Sequence, residues 1–275
     1  MTQKIAFLGA GNMASALIRG LIAGGYPADA ILASDPDQEK LHHLHTALGI
    51  TTHPTNSDAA SHCDVAVLAV KPQMLENLCK EIHTVAQQKR PLVVSIAAGV
   101  TCPTLASWLG ESLPIVRTMP NTPASINCGA TGLFATSHVS EEQKNFSETL
   151  MRSVGLTAWV SEETQLDIVT ALSGSGPAYY FLMMEAMEKA ATQLGLPVET
   201  ARILTIQTAY GAAKMALESE EDAATLRHRV TSPGGTTEQA INTFEQNQFT
   251  DLVASAVSAA NNRSRELASQ FGGEK

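Results

Sequence analysis

The chain has 275 residues, of which 44% are hydrophobic and 16% charged, a composition for one large or two ordinary folded domains and not for a disordered chain. The formal net charge is −9, the isoelectric point is about 5.3, and no long run of Lys or Arg occurs, which argues against nucleic-acid partners and against anionic membrane surfaces. A small anionic ligand stays open, because a local site can override the overall sign.

No apolar run reaches about 18 residues, so no transmembrane helix is expected. The N-terminal apolar run breaks at Gly9 and turns polar at Asn12, a poor signal peptide, and a cytoplasmic location is expected. Cys63, Cys79, Cys102 and Cys128 form no C-x-x-C pair and have no His at zinc-ligand spacing. They read as reduced, mostly buried thiols of a cytosolic protein, and no metal site is expected.

In chain order, Ile5 to Leu8 reads as a buried strand led by Lys4. Gly9, Gly11 and Ala14 follow as G-x-G-x-x-A, and Met13, Leu17, Ile18 and Leu21 then recur at helical spacing. Strand, glycine turn and helix form the phosphate-cradling start of a dinucleotide-binding unit. Gly9 permits the sharp turn, Gly11 lets a pyrophosphate approach the backbone, and Ala14 lets the helix pack closely on the strand. The helix N-terminus offers N–H groups and partial positive charge to the phosphates. The bland reading of the same residues is a strand–turn–helix with no ligand.

Ile31 to Ser34 is the second strand, followed by Asp35. An acid there either holds the adenine ribose hydroxyls or caps the helix beginning near Pro36. Lys40 and His42–His43 lie on that helix, which stops at Gly49; they face either a 2′-phosphate or solvent. Residues 50–52 form a weak strand, and Thr55, Asn56 and Ser57 look like cap residues of a short helix.

Residues 65–70 form the clearest strand, apolar throughout as in a parallel sheet covered on both faces. It ends at Lys71-Pro72, and Pro72 suits the first turn of a helix to about Gln88. Further strands are expected at 92–96, 115–119, 131–135 and 157–160, and helices near 104–109 and 141–152. Pro120-Asn-Thr-Pro is a rigid turn at a strand end, suited to holding a ring or simply to connecting. Alternating strands and helices argue a doubly wound sheet.

From Glu162 onward only helical periodicity remains, which sets a boundary near residue 161. One helix spans 164–172 and is halted at Gly174. The next opens at Pro177, runs Tyr179-Tyr-Phe-Leu-Met-Met, and is apolar nearly all round. Such a helix must be buried on most faces, either by a second subunit, which is the preferred reading, or within the chain. A helix over 200–217 and a small-residue helix around Leu252 follow, with an acidic solvated loop at 218–222. Between the helices lies Thr231-Ser-Pro-Gly-Gly-Thr-Thr-Glu-Gln, where Thr236 and Gln239 make a capping-box pattern. This second glycine-fronted helix start is either a carboxylate site or a well-capped helix.

Together these residues resemble the pyrroline-5-carboxylate reductase family over nearly the whole chain. The resemblance rests on Phe7-Leu-Gly-Ala-Gly-Asn-Met-Ala, Ala69-Val-Lys-Pro-Gln, Ser95-Ile-Ala-Ala-Gly-Val, Arg117-Thr-Met-Pro-Asn-Thr-Pro, Ser173-Gly-Ser-Gly-Pro-Ala-Tyr and Thr231-Ser-Pro-Gly-Gly-Thr-Thr. It implies an α/β fold: an N-terminal Rossmann-type doubly wound sheet over 1–161 and an all-α substrate and dimerisation domain over 162–275. It also implies a homodimer that assembles further into a ring, and reduction of a five-membered cyclic imine carboxylate to L-proline with NADP or NAD.

By that resemblance Lys71, Pro72, Met119, Pro120 and Asn121 line the nicotinamide, and Asn56 touches a cofactor ribose. The remaining cofactor contacts are expected at Gly9, Ala10, Gly11, Asn12, Met13, Ser34, Asp35, Ala69 and Val70. Ser232, Gly234, Gly235 and Thr236 would hold the substrate carboxylate, and Thr237 would face the ring nitrogen as the catalytic hydroxyl. Many relatives carry Arg, Lys or Ser where Asp35 stands after Ser34, and a carboxylate there would repel an NADP phosphate. A rival 3-hydroxyacid dehydrogenase pattern needs Asn one turn after a catalytic Lys, but Lys214 is followed there by Glu218, the spacing of a surface ion pair.

Overall fold

The computed structural model describes residues 2–272. The described residues form two compact units, one holding those up to Ser175 and those from Ala260 on, the other Gly176–Ala259.

The first unit holds β1 (Ile5–Leu8), β2 (Ile31–Ser34), β3 (Thr51–His53), β4 (Val65–Leu68), β5 (Leu92–Ser95), β6 (Ile115–Met119), β7 (Gly129–Ala135) and β8 (Gly155–Trp159). Between them run α1 (Asn12–Ala23), α2 (Gln38–Leu48), α3 (Asn56–Ser61), α4 (Pro72–Lys89), α5 (Cys102–Leu109) and α6 (Glu141–Arg152). The sheet order is β3-β2-β1-β4-β5-β6-β7-β8, and the strands from β3 to β6 are all parallel. This is the doubly wound dinucleotide-binding order.

The continuous apolar strands have a direct cause. Ile5, Phe7, Ile31, Val65, Val67 and Val94 face one core beside Leu17 and Ile18 of α1. Ala6, Leu8, Leu32, Ala66, Leu68 and Val93 face the other, beside Leu75, Cys79 and Ile82 of α4. Both faces are covered, so no polar alternation is possible.

Several boundaries differ from the sequence expectation. β4 stops at Leu68, two residues before the expected end, with the Ala69 N–H still donating to Leu8 O at 2.9 Å. β7 and β8 begin at Gly129 and Gly155, two residues before the expected starts, where the two glycines meet so closely that a Cβ on Gly155 would overlap the Gly129 backbone. β7 also runs antiparallel to β6. Only a short 3-10 segment, Thr122–Ile126, joins them, too little chain for the crossover that parallel pairing needs.

Past the sheet, α7 (Gln165–Val169) continues as a single π turn over Thr170–Gly174. The strands end at Trp159, where the sequence changes character, while the compact units divide later, at Ser175. The second unit holds α8 (Gly176–Gln193), α9 (Val198–Glu218), α10 (Ala223–Arg229), α11 (Thr236–Gln246) and the first turns of α12 (Phe249–Gly272). The helix α10 has no counterpart in the sequence reading; Asp222, expected in a solvated loop, caps it by accepting the Thr225 N–H at 2.8 Å. The later turns of α12 belong to the first unit, where Ser264 Oγ donates to the buried Asp167 carboxylate at 2.7 Å.

On α8, Tyr180, Phe181 and Leu182 are 70%, 64% and 67% exposed, so the chain itself does not bury this apolar helix. No helix among the described residues is long and apolar enough to cross a membrane.

Candidate active site

In a parallel sheet the strand ends open a crevice at one edge, and the connection after each strand delivers side chains there. After β1, Gly9 takes φ +105°, and a Cβ on it would lie 2.7 Å from the Ala69 carbonyl oxygen. Its N–H donates to Ser34 O at 2.8 Å. Gly9 therefore has two reasons to lack a side chain: the left-handed backbone and the close approach of the chain leaving β4.

Gly11 is the N-cap of α1, has extended backbone, and makes no side-chain cap bond. A Cβ there would meet nothing within 4 Å. The first turn of α1 thus starts without a side-chain cap and with room beside Gly11, and an uncapped helix start is the kind of site that binds a phosphate.

The Ala10 N–H is not part of that cradle, because it donates to Asp35 Oδ2 at 2.8 Å. Asp35 Oδ1 in turn accepts the Asp37 N–H at 2.9 Å. Asp35 does not cap α2. The cap is Asp37, accepting from the Glu39 and Lys40 N–H groups at 3.1 and 3.2 Å, because the helix starts at Gln38 and not beside Pro36.

Beside Asp35, Ser34 Oγ donates to Asn56 Oδ1 at 2.8 Å, and Asn56 Nδ2 donates to Glu81 Oε2 at 2.8 Å. Thr55 caps α3 by accepting the Asp58 N–H at 3.1 Å, as expected from its place in the sequence. After β4, half-buried Ala69 and Val70 lead to Lys71, the N-cap of α4, with Pro72 at its first position. After β6 come Met119, Pro120 and Asn121. The Asn121 amide is 8% exposed; its Nδ2 donates to Ser173 O at 3.0 Å and its Oδ1 accepts the Ala130 N–H at 2.8 Å. The side chain is a strut for this loop, which leaves the Asn121 backbone as what it can offer a ligand. The Met119 methyl packs on Gly174, where a Cβ would come within 2.6 Å of it.

In the second unit, the glycine-fronted loop runs Ser232-Pro-Gly-Gly-Thr-Thr into α11. Gly234 takes φ +72°. The capping box expected of Thr236 and Gln239 does not form. Thr236 is the first helical residue and Gly235, with no side chain, is the cap. Glu238 takes over by reaching back to the Gly234 N–H at 2.8 Å, and the Gly235 N–H donates to Ser232 O at 3.0 Å. With those two N–H groups engaged, the polar groups left at this helix start are the N–H groups of Thr236 and Thr237 and the hydroxyls of Ser232, Thr236 and half-buried Thr237.

Several supporting residues carry no local sequence signal. Glu81 lies 25 positions from the Asn56 it holds. Glu163 accepts both the Arg117 guanidinium at 2.9 Å and the Cys102 N–H at 2.7 Å. Glu238 alone was findable, four residues after a glycine it could reach. Lys214 pairs with Glu218 at 3.6 Å on an exposed helix face, as its spacing suggested.

His53, Asp58 and His62 bring potential metal-ligating atoms within 4.8 Å of one another. The two rings stack at 5.3 Å with 22° between planes. The hydrogen bond with His53, at 2.8 Å, is the main reason the Asp58 carboxyl sits below its ordinary range.

A pyrroline-5-carboxylate reductase of Pseudomonas aeruginosa is 51% identical over 271 residues, covering 98% of this chain and 99% of the relative. The chain belongs to the pyrroline-5-carboxylate reductase family. The profile for pyrroline-5-carboxylate reductase dimerisation matches residues 163–267, and that for NADP oxidoreductase, coenzyme F420-dependent, matches residues 4–99. Among solved structures, a pyrroline-5-carboxylate reductase from Coxiella burnetii superposes at TM-score 0.95 with 49% identity, covering 98% of this chain and 99% of that one. The Plasmodium falciparum pyrroline carboxylate reductase with NADP bound superposes at 0.84 with 29% identity, over 97% and 98% of the two chains. The Gly11 loop lies in the segment matched by the oxidoreductase profile, and the Gly235 loop in the segment matched by the dimerisation profile.

Proposed function

We propose that this chain reduces 1-pyrroline-5-carboxylate to L-proline with NAD(P)H, the last step of proline biosynthesis. The observation that carries the reading is full-length membership of the reductase family together with the uncapped, open helix start at Gly11.

The cofactor is NADP or NAD in its reduced form, which supplies a hydride. Its diphosphate is held by the N–H groups of Gly11, Asn12 and Met13, and its riboses by Ser34, Asp35 and Asn56. Its nicotinamide is lined by Ala69, Val70, Lys71, Pro72, Met119, Pro120 and the Asn121 backbone. Gly9 and Ala10 shape the loop. The substrate carboxylate is held at the start of α11 by Ser232 and Thr236, over the turn that Gly234 and Gly235 permit.

The chemistry asks little of acid–base groups. A protonated imine is already electrophilic: hydride adds to the ring carbon, the C=N electron pair moves to nitrogen, and the nitrogen keeps its proton as the amine forms. Thr237 is the catalytic hydroxyl because it orients that nitrogen and its proton. What the protein contributes is position and exclusion of water.

Residues 162–275 serve as the substrate and dimerisation domain. Besides α8, Ile203 and Leu204 of α9 and Leu252 of α12 are more than half exposed in one chain, an apolar area that monomers rarely leave open. A second copy of the chain covers it, as a homodimer that assembles further into a ring, in the cytoplasm. Adding the cyclic imine to the enzyme with NADH or NADPH should oxidise the cofactor and yield proline. No loss of reduced nicotinamide with either cofactor would sink the reading.

A further inference from the structure

We propose that Asp35 makes this enzyme an NADH-preferring reductase, an inference that rests on the cofactor reading above and goes beyond it. The end of β2 is where an adenine ribose lies in this fold, and the group met there decides between a 2′-hydroxyl and a 2′-phosphate. A hydroxyl donates a hydrogen bond; a phosphate carries about −1.5 to −2 charge and only accepts.

Every group at this corner is matched to the hydroxyl. The Asp35 carboxylate is pinned from both sides, by the Ala10 N–H at 2.8 Å and the Asp37 N–H at 2.9 Å, so it cannot swing aside for a phosphate. Two bonds leave it free acceptor capacity for a ribose hydroxyl. The Ser34 hydroxyl, a natural donor to phosphate, is committed to Asn56 Oδ1 at 2.8 Å, and the Asn56 amide to Glu81. The charged neighbours on the adjoining turn are Asp37, Glu39 and Lys40, and Lys40 Nζ lies 3.7 Å from Asp37 Oδ2. The corner therefore presents three carboxylates against one cation that already has a partner. Asp35 also ties the ribose end to the diphosphate loop, since the N–H it holds is that of Ala10 between the two loop glycines.

The test is equilibrium binding of NADH and of NADPH to the full-length enzyme without imine, by fluorescence of the reduced nicotinamide. NADH should bind at least about tenfold more tightly, the ratio that one properly placed like-charge contact produces. Asp35→Asn removes the charge and keeps the shape, and Asp35→Ser removes both; each should shift the ratio toward NADPH by about tenfold or more. Equal or tighter NADPH binding by the wild type overturns the proposal, as does an unchanged ratio in folded variants. If both variants fail to fold, the wild-type ratio decides alone. Turnover of the imine is measured separately: preferential NADH binding without turnover removes the proposed reaction and leaves this inference standing.

Discussion

Buried Arg117 forms an ion pair with half-buried Glu163 in the first unit. The guanidinium Nη1 stands 2.9 Å from Glu163 Oε1, and Arg117 is 3% exposed. The pair ties β6, which leads into the Met119–Asn121 loop, to the segment entering α7. A buried pair adds little over a well-packed apolar replacement, but breaking one side strands a charge.

Glu163→Ala should therefore destabilise the first unit by about 3 kcal/mol, and Glu163→Gln, which keeps an acceptor, by less. Both tryptophans, Trp108 and Trp159, lie in this unit, so urea unfolding followed by their fluorescence reads it directly. A Glu163→Ala midpoint equal to wild type would show the pair to be dispensable.

Gly9 and Gly11 should respond differently to alanine. At Gly9 the new methyl meets the Ala69 backbone at 2.7 Å with φ +105°, so stability should fall by about 1–3 kcal/mol along with dinucleotide binding. At Gly11 the methyl enters open space. Gly11→Ala should unfold within about 0.5 kcal/mol of wild type yet bind either dinucleotide at least about tenfold more weakly. Thermal unfolding and cofactor titration of both variants separate the two roles, and tight binding by Gly11→Ala would remove the diphosphate from this loop.

Thr237→Ala should lower kcat about tenfold to a hundredfold, since a misoriented imine loses near-attack geometry, with unfolding unchanged. Thr237→Ser should recover most of the rate. Wild-type turnover by the alanine variant would take the hydroxyl out of the mechanism.

Cysteine labelling has a sharp expected outcome. Burial pushes the Cys63 and Cys79 thiols up to about 12 and raises that of buried Cys102 as well, whereas Cys128 is exposed. Thiolate is the reactive form, so at mildly alkaline pH the native protein should titrate one thiol per chain with a thiol-specific reagent, and four after denaturation. The Cys128→Ser variant should titrate none until it unfolds.

Much of the fold was legible because its signals are local. β1, the glycine turn and α1 lie within one short stretch, and their apolar spacing and glycines have no better use than strand, turn and helix. The same holds for Thr55 capping α3 and Pro72 opening α4. The Thr236 capping box misled by one position: the helix starts at Thr236 itself with Gly235 as its cap, and Glu238, not Gln239, is the side chain that reaches back to a backbone N–H, that of Gly234. The antiparallel turn of β7 was missed because alternation of strand and helix suggests direction only when the connection is long enough to cross over.

By itself the sequence determined the family, the parallel sheet, the two glycine-fronted helix starts and the apolar helices that follow, since each is written in residues a few positions apart. Only the tertiary structure decided what Asp35 does: it grips Ala10, 25 residues earlier, and leaves the capping of α2 to Asp37. It likewise decided that Asn121 braces a loop against Ser173, that Glu163 answers Arg117, and that Ser264 returns to Asp167. Periodicity and propensity act within a turn or a strand, whereas a buried polar group takes whichever partner the packed chain brings within about 3 Å of it.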